Sequence, residues 1–140
     1  MKKLLITLGC ITLTACSGMA IQEKVELLDP VKSVNSTVIT KVVNYQCQSN
    51  KKVSVTYGFD KQNKPTYAQA FLNGKTRFMP LNIKRTDQVD TVFGDENNFS
   101  LTTSHMTVDN YQLPILITDP AQEIIFKNCK VVKTCTSVQK

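Results

Sequence analysis

Residues 51–81 read KKVSVTYGFDKQNKPTYAQAFLNGKTRFMPL. Val53, Val55 and Tyr57 alternate with Lys52, Ser54 and Thr56, and Tyr67, Gln69 and Phe71 alternate with Thr66, Ala68 and Ala70. Side chains that change character residue by residue stand on opposite faces of an extended chain, so the period is two and these elements are strands. The first two runs are separated by Asp60-Lys61-Gln62-Asn63-Lys64-Pro65, and Asn73-Gly74 follows the second. A two-residue type I′ turn needs positive φ at both central positions, which Asn and Gly tolerate, so Asn73-Gly74 predicts a tight hairpin.

The pattern continues on both sides. Phe99, Leu101 and Thr103 alternate with Ser100 and Thr102, and turn signals fall at 94–98, Asp109-Asn110 and Asp119-Pro120. Strands are expected at 39–47, 51–59, 66–72, 75–81, 88–93, 98–103, 106–108 with 112–118, and 123–129. Regular hairpin spacing without a helical period makes the chain all-β, and eight short antiparallel strands close into a small β-barrel that removes exposed edges. A domain over 38–130 is large enough for one compact core and too small for two.

The N-terminus sets the compartment. MKKLLITLGCITLTAC has two lysines, an apolar run from Leu4 and small residues before Cys16, the layout of a secretory signal. Leu13-Thr14-Ala15-Cys16 resembles a bacterial lipobox, so residues 1–15 are expected to be removed and Cys16 to carry lipid. Ser17 in the next position suits outer-membrane sorting. Gly18-Met19-Ala20 offers an ordinary cleavage site as the alternative. Polar composition and Asp29-Pro30 mark 16–37 as a flexible tether.

The chain has five cysteines. With Cys10 in the signal and Cys16 lipidated, Cys47, Cys129 and Cys135 remain in an oxidising compartment. Cys47 and Cys129 each end a strand-like run, NYQC and IIFKNC, and are expected to fasten the first strand to the last. Cys135, in the 131–140 tail, is left as a loose thiol or an intermolecular bridge.

Charge is unevenly placed. The formal net charge is +6, yet residues 86–126 hold no Lys or Arg and seven acids: Asp87, Asp90, Asp95, Glu96, Asp109, Asp119 and Glu123. Residues 17–85 hold eleven cations and four acids. Partners therefore have to be judged patch by patch, and a basic partner suits the cation-free window. Nucleic acid is not expected, since the export signal removes the chain from it. An anionic membrane surface suits the basic half.

Enzymatic motifs are missing. There is a single histidine, His105, with no Gly-x-Ser-x-Gly, no Gly-rich phosphate loop and no Cys-x-x-Cys. Asp95, Glu96 and Asn97 lack a calcium-loop spacing. The sequence thus predicts neither an enzyme nor a cofactor nor a metal site.

Tyr45-x-Cys47, the run Val53 to Gln62, Tyr67-Ala68, Asn73-Gly74-Lys75 and Met79-Pro80 resemble the adhesin complex protein family of Gram-negative surface proteins. Asp87, Asp90-Thr91, Gly94, Pro114-Ile115, Ile117-Thr118 and Ile125-Phe126-Lys127-x-Cys129 continue the resemblance in order and spacing. That family in turn resembles membrane-bound inhibitors of c-type lysozyme, which are eight-stranded barrels with a strand-fastening disulfide. The resemblance implies a surface protein that inhibits host lysozyme, with adhesion to host-cell surface components as the alternative. The Ser and Lys of the inhibitor motif align near Asp87, Phe93 and Ser104 or His105, and neither is matched. The expected contact set is a hairpin with Val92 and Phe93 as an apolar centre beside Thr91, rimmed by Asp87, Asp90, Asp95 and Glu96, with Ser104 and His105 reaching the enzyme's carboxyl groups.

Overall fold

The structure, a computed structural model, describes residues 27–132. The signal segment, Cys16, the first part of the expected tether and Cys135 lie outside the described residues.

Eight strands follow in chain order: β1 Ile39–Gln46, β2 Lys52–Phe59, β3 Pro65–Leu72, β4 Lys75–Pro80, β5 Asp90–Gly94, β6 Ser100–Ser104, β7 Ile115–Thr118 and β8 Ile124–Val131. All pairings are antiparallel, and the order β4-β3-β2-β1-β8-β7-β6-β5 brings the two ends of the sheet together through the Leu81–Phe93 bridge. The result is the expected eight-stranded, nearly closed barrel. Asn73 and Gly74 form the tight β3–β4 turn with φ of 50° and 84°, the left-handed geometry that selects these two residues.

Alternation decides which side of each strand is buried. In β2, Val53, Val55 and Tyr57 point inward while Lys52 and Ser54 face water. In β3 the small residues Thr66, Ala68 and Ala70 are inside together with Leu72 at the end, and Phe71 is 65% exposed. The interior is already filled by Tyr45, Tyr57, Phe59 and Phe93, all under 2% exposed, so the middle of the strand facing them has room only for Thr and Ala, and Leu72 enters only at its end. Tyr67 remains outside, its ring against Gly58, where an added Cβ would come within 2.4 Å of it. The Tyr45 and Tyr57 hydroxyls, 2.7 Å apart, satisfy each other in the core. Burial pushes Tyr45 up to about 12 and raises Tyr57 well above the usual tyrosine value.

The Cys47–Cys129 disulfide is present and spans 82 residues of sequence. It lies beside the β1–β8 junction, where only Tyr45–Val131 and Gln46–Lys130 are paired.

Two expectations are corrected. Residues 27–37 are no loose tether: Leu27 bridges Asn82, and Pro30–Ser36 form a helix, α1, against β3 and β2. Asp29 caps it by accepting from Val31 N at 2.9 Å and Lys32 N at 3.2 Å, and Pro30 sits at the first helical position, which its fixed φ favours. The Asp29-Pro30 pair thus starts a helix. Secondly, residues 106–113 are not strand. Pro114 has no N–H for a ladder, its carbonyl accepts from Thr103 Oγ1 at 2.7 Å, and the preceding loop folds across the barrel end with Met106 buried.

Candidate functional site

The acidic window occupies β5 to β7 and their loops. The loop between β4 and β5 is built on Asn82, which is fully buried within the run Met79-Pro80-Leu81-Asn82-Ile83. Its Nδ2 donates to Gly94 O at 2.9 Å and its Oδ1 accepts from Arg85 N at 3.1 Å. Its backbone donates to Val92 O at 2.7 Å and accepts from Thr86 N at 3.0 Å. Thr86 Oγ1 adds a second tie by accepting from Val92 N at 3.0 Å. A loop so fixed holds whatever it carries in one place.

What it carries is Asp87. Its Oδ1 accepts from Val89 N at 2.7 Å and Asp90 N at 2.9 Å. The N–H of Asp90, then that of Val89, hold this carboxyl below its usual value, and neighbouring His105 adds to the effect. His105 donates its backbone N–H to Val89 O at 2.9 Å, and its Nδ1 lies 3.2 Å from Asp87 O, a donor contact in the Nδ1–H tautomer. Asp90 stands opposite Ser104 in the β5–β6 ladder. Asp87, Asp90, Ser104 and His105 are all exposed, so one rim gathers two carboxylates, a hydroxyl and an imidazole. Beside it opens a cleft of about 330 Å³ lined by Lys64, Pro65, Thr86, Thr91, His105 and Met106.

Three of the expected contact residues face the wrong way. Thr91, Val92 and Phe93 are 1%, 3% and 0% exposed, so they cannot form an apolar centre for docking. Phe93 packs on Tyr57 with ring centroids 5.8 Å apart, and Thr91 Oγ1 accepts from Met106 N at 3.0 Å. The strand between two acidic turns belongs to the core on both of its faces because the β4–β5 loop covers its outer side.

The acids are also divided. Asp95 and Glu96 sit past the other end of β5, about 16 Å along the strand from Asp90 at the usual rise per residue. Asp95 Oδ1 caps its own turn through Asn97 N at 3.0 Å and Asn98 Nδ2 at 2.9 Å. Gln122 Nε2 donates to Glu96 O, tying this turn to the β7–β8 turn that bears Asp119 and Glu123. Asp109 lies on the 105–114 loop, whose Val108 N donates to Asn63 O at 3.2 Å. The seven acids therefore form two separate groups and one outlier. Sequence reasoning missed Asn82 and Thr86, and the only trace of Asn82 is a lone amide in an apolar run. Among the described residues, no group of three or more His, Cys, Asp or Glu side chains is placed to hold a metal ion.

A family model described as an ACP-like domain matches residues 41–131. The adhesin complex protein from Neisseria meningitidis is 46% identical in sequence, with 66% of this chain and 99% of that one covered at a TM-score of 0.63. The periplasmic inhibitor of c-type lysozyme from Salmonella typhimurium aligns over 68% of this chain and 100% of its own, with 16% identity and a TM-score of 0.49. No curated protein sequence matches.

Proposed function

Because the chain belongs to the family of ACP-like domains, matched over residues 41–131, we propose that it is an envelope lipoprotein that binds host c-type lysozyme and blocks its active-site cleft. The observation that carries the reading is the exposed rim of Asp87, Asp90, Ser104 and His105 at one end of a window with seven acids and no cation. Animal lysozymes of this class are strongly basic, so the Asp87 and Asp90 end of the window accelerates encounter and orients the approach. Two catalytic carboxyl groups line the enzyme's cleft, and an inhibitor has to exclude substrate rather than present further anions to them. Ser104 and His105 suit those carboxyls as hydrogen-bond donors, while Asp87 and Asp90 suit the basic surface around them. Steering and a rigid polar rim, rather than an apolar plug, carry this interface, over about 800 Å² per partner. Asp95 and Glu96, at the far end of β5, belong outside it.

The anchor in this reading is a lipidated Cys16 in the outer membrane, and no catalytic role is assigned. The test is the turbidity of a cell-wall suspension treated with purified lysozyme. Micromolar mature protein is expected to preserve turbidity, and undiminished lysis would overturn the proposal.

Adhesion to host-cell surface components is the second reading, favoured by the 46% identity to a protein named as an adhesin. Replacing Asp90 with Lys separates the two, since inhibition should fall while binding to cultured host cells should persist if adhesion uses another face.

A further inference from the structure

We propose that α1 and the outward faces of β3 and β4 form a membrane-contact surface that seats the barrel on an anionic phospholipid bilayer. This is independent of lysozyme binding. The starting point is an inversion shared by neighbouring elements. In α1, PVKSVNS, the buried residue is Ser33, while Val31 and Val34 are 66% and 55% exposed. In β3 the inward residues Thr66, Ala68 and Ala70 are small, with Leu72 inside only at the end, while Tyr67 and Phe71 stand outside. Helices and strands that cover a core normally turn their larger apolar residues toward it, so two adjacent elements doing the reverse mark an interaction surface.

The residues are contiguous. Val31 and Val34 share a shallow depression of about 390 Å³ with Phe78, and Phe78 stacks on Tyr67 at 4.8 Å between centroids. Phe71 is paired with Thr76, two residues from Phe78 on the same face of β4, so the three aromatic rings form one outer patch.

Charge and chain length select the occupant. Residues 61–86 contain Lys61, Lys64, Lys75, Arg77, Lys84 and Arg85 and no acid, and Lys32 lies on α1 itself. Lys32 and Lys64 line one depression beside α1, and an apolar patch with cations beside it matches a surface whose headgroups are anionic and whose interior is apolar. Only residues 17–26 separate Cys16 from Leu27, a span of at most about 40 Å, and α1 starts three residues later.

The chain has no tryptophan, which makes a single introduced one a unique reporter. Val34→Trp would be compared with Val89→Trp, a 69% exposed position on the β4–β5 loop, in full-length protein reconstituted into vesicles. The vesicles would contain phosphatidylcholine with a minority of phosphatidylglycerol, with and without brominated acyl chains. The reporter at position 34 is expected to shift to the blue and be quenched by the brominated lipid, and that at position 89 to do neither. Equal behaviour at both positions would overturn the proposal. A blue shift at position 34 that grows with protein concentration in the absence of lipid would assign the patch to a second copy and overturn it too. A second arm uses mature protein with Cys16→Ser, so that no lipid anchor contributes. Adding Val31→Glu and Phe71→Glu should lower its vesicle partitioning about tenfold or more. Unchanged partitioning would refute the surface, whatever the outcome with lysozyme.

Discussion

Asn82→Ala tests whether the candidate rim is held by one buried amide. The substitution removes the buried donor to Gly94 O and the part-buried acceptor for Arg85 N, around a side chain that is itself fully buried. Each lost hydrogen bond to a buried group costs about 1–1.5 kcal/mol, and an orphaned carbonyl adds its own desolvation, so about 2–4 kcal/mol is expected in all. For a domain of this size a urea m-value of about 1–1.5 kcal/mol/M converts that loss into a midpoint lower by about 2 M, with m unchanged. Asn82→Asp should be no better, because it keeps the acceptor for Arg85 N but sets a carboxylate against Gly94 O. The functional consequence is sharper than the loss of stability. With the β4–β5 loop loosened, lysozyme inhibition should weaken even under conditions where the variant is fully folded. The measurement is paired: equilibrium urea unfolding with the disulfide intact, and turbidity protection in dilute buffer. A stability loss below about 0.5 kcal/mol would refute the argument, since that is the range of ordinary surface substitutions.

Three further outcomes are expected. At about 0.1 M salt, where screening acts over about 10 Å, Asp90→Lys should slow association with lysozyme about tenfold, whereas Glu96→Lys at the other end of β5 should not; stopped-flow fluorescence at two salt concentrations checks this, and equal effects would show that the two acidic groups act together. Replacing Cys47 and Cys129 with Ser opens a loop of 82 residues and should cost about 4.5 kcal/mol by the chain-entropy estimate, read as a lowered urea midpoint. Tyr45 is raised to about 12 and Tyr57 is raised with it, so both are neutral in the folded state where an unfolded tyrosine would ionise near 10. Their contribution is intact below pH 10 and is lost as pH rises from 10 through about 12, and absorbance at 295 nm should show tyrosines that ionise only with unfolding.

The strands were legible because alternation needs no knowledge of neighbours, and β2 buries the residues its pattern offered. What alternation lacks is the identity of the facing strand. Phe71 and Ala70 could each have been the inward choice until Tyr57, Phe59 and Phe93 filled the interior. The same gap undid the reading of Val92 and Phe93. In sequence they are two apolar residues between acids, and only the loop folded over β5 makes them core. Helix α1 spans Pro30–Ser36, too short to show a period, and its evidence was the cap, Asp29 followed by Pro30, which also signals a turn. For the site, the charge of 86–126 was readable and its division was not, because strand ends separate what sequence places side by side. The disulfide was readable at Cys47, which directly follows β1, whereas Cys129 lies within β8, paired with Ile115, and not at its end.

The Leu81–Phe93 bridge is the sole ladder contact between β4 and β5 among the described residues, and β1 meets β8 through two pairs beside the disulfide. The barrel is therefore a book of two four-stranded covers, with a covalent spine at one side and a single latch at the other. The latch adjoins Asn82 and so the rim of Asp87 and Asp90. Opening the covers has to displace that rim, and a partner seated on it keeps the book shut. Amide protons along the facing edges of β4 and β5 should then exchange more slowly in the complex than in the free protein, even at positions the partner never touches.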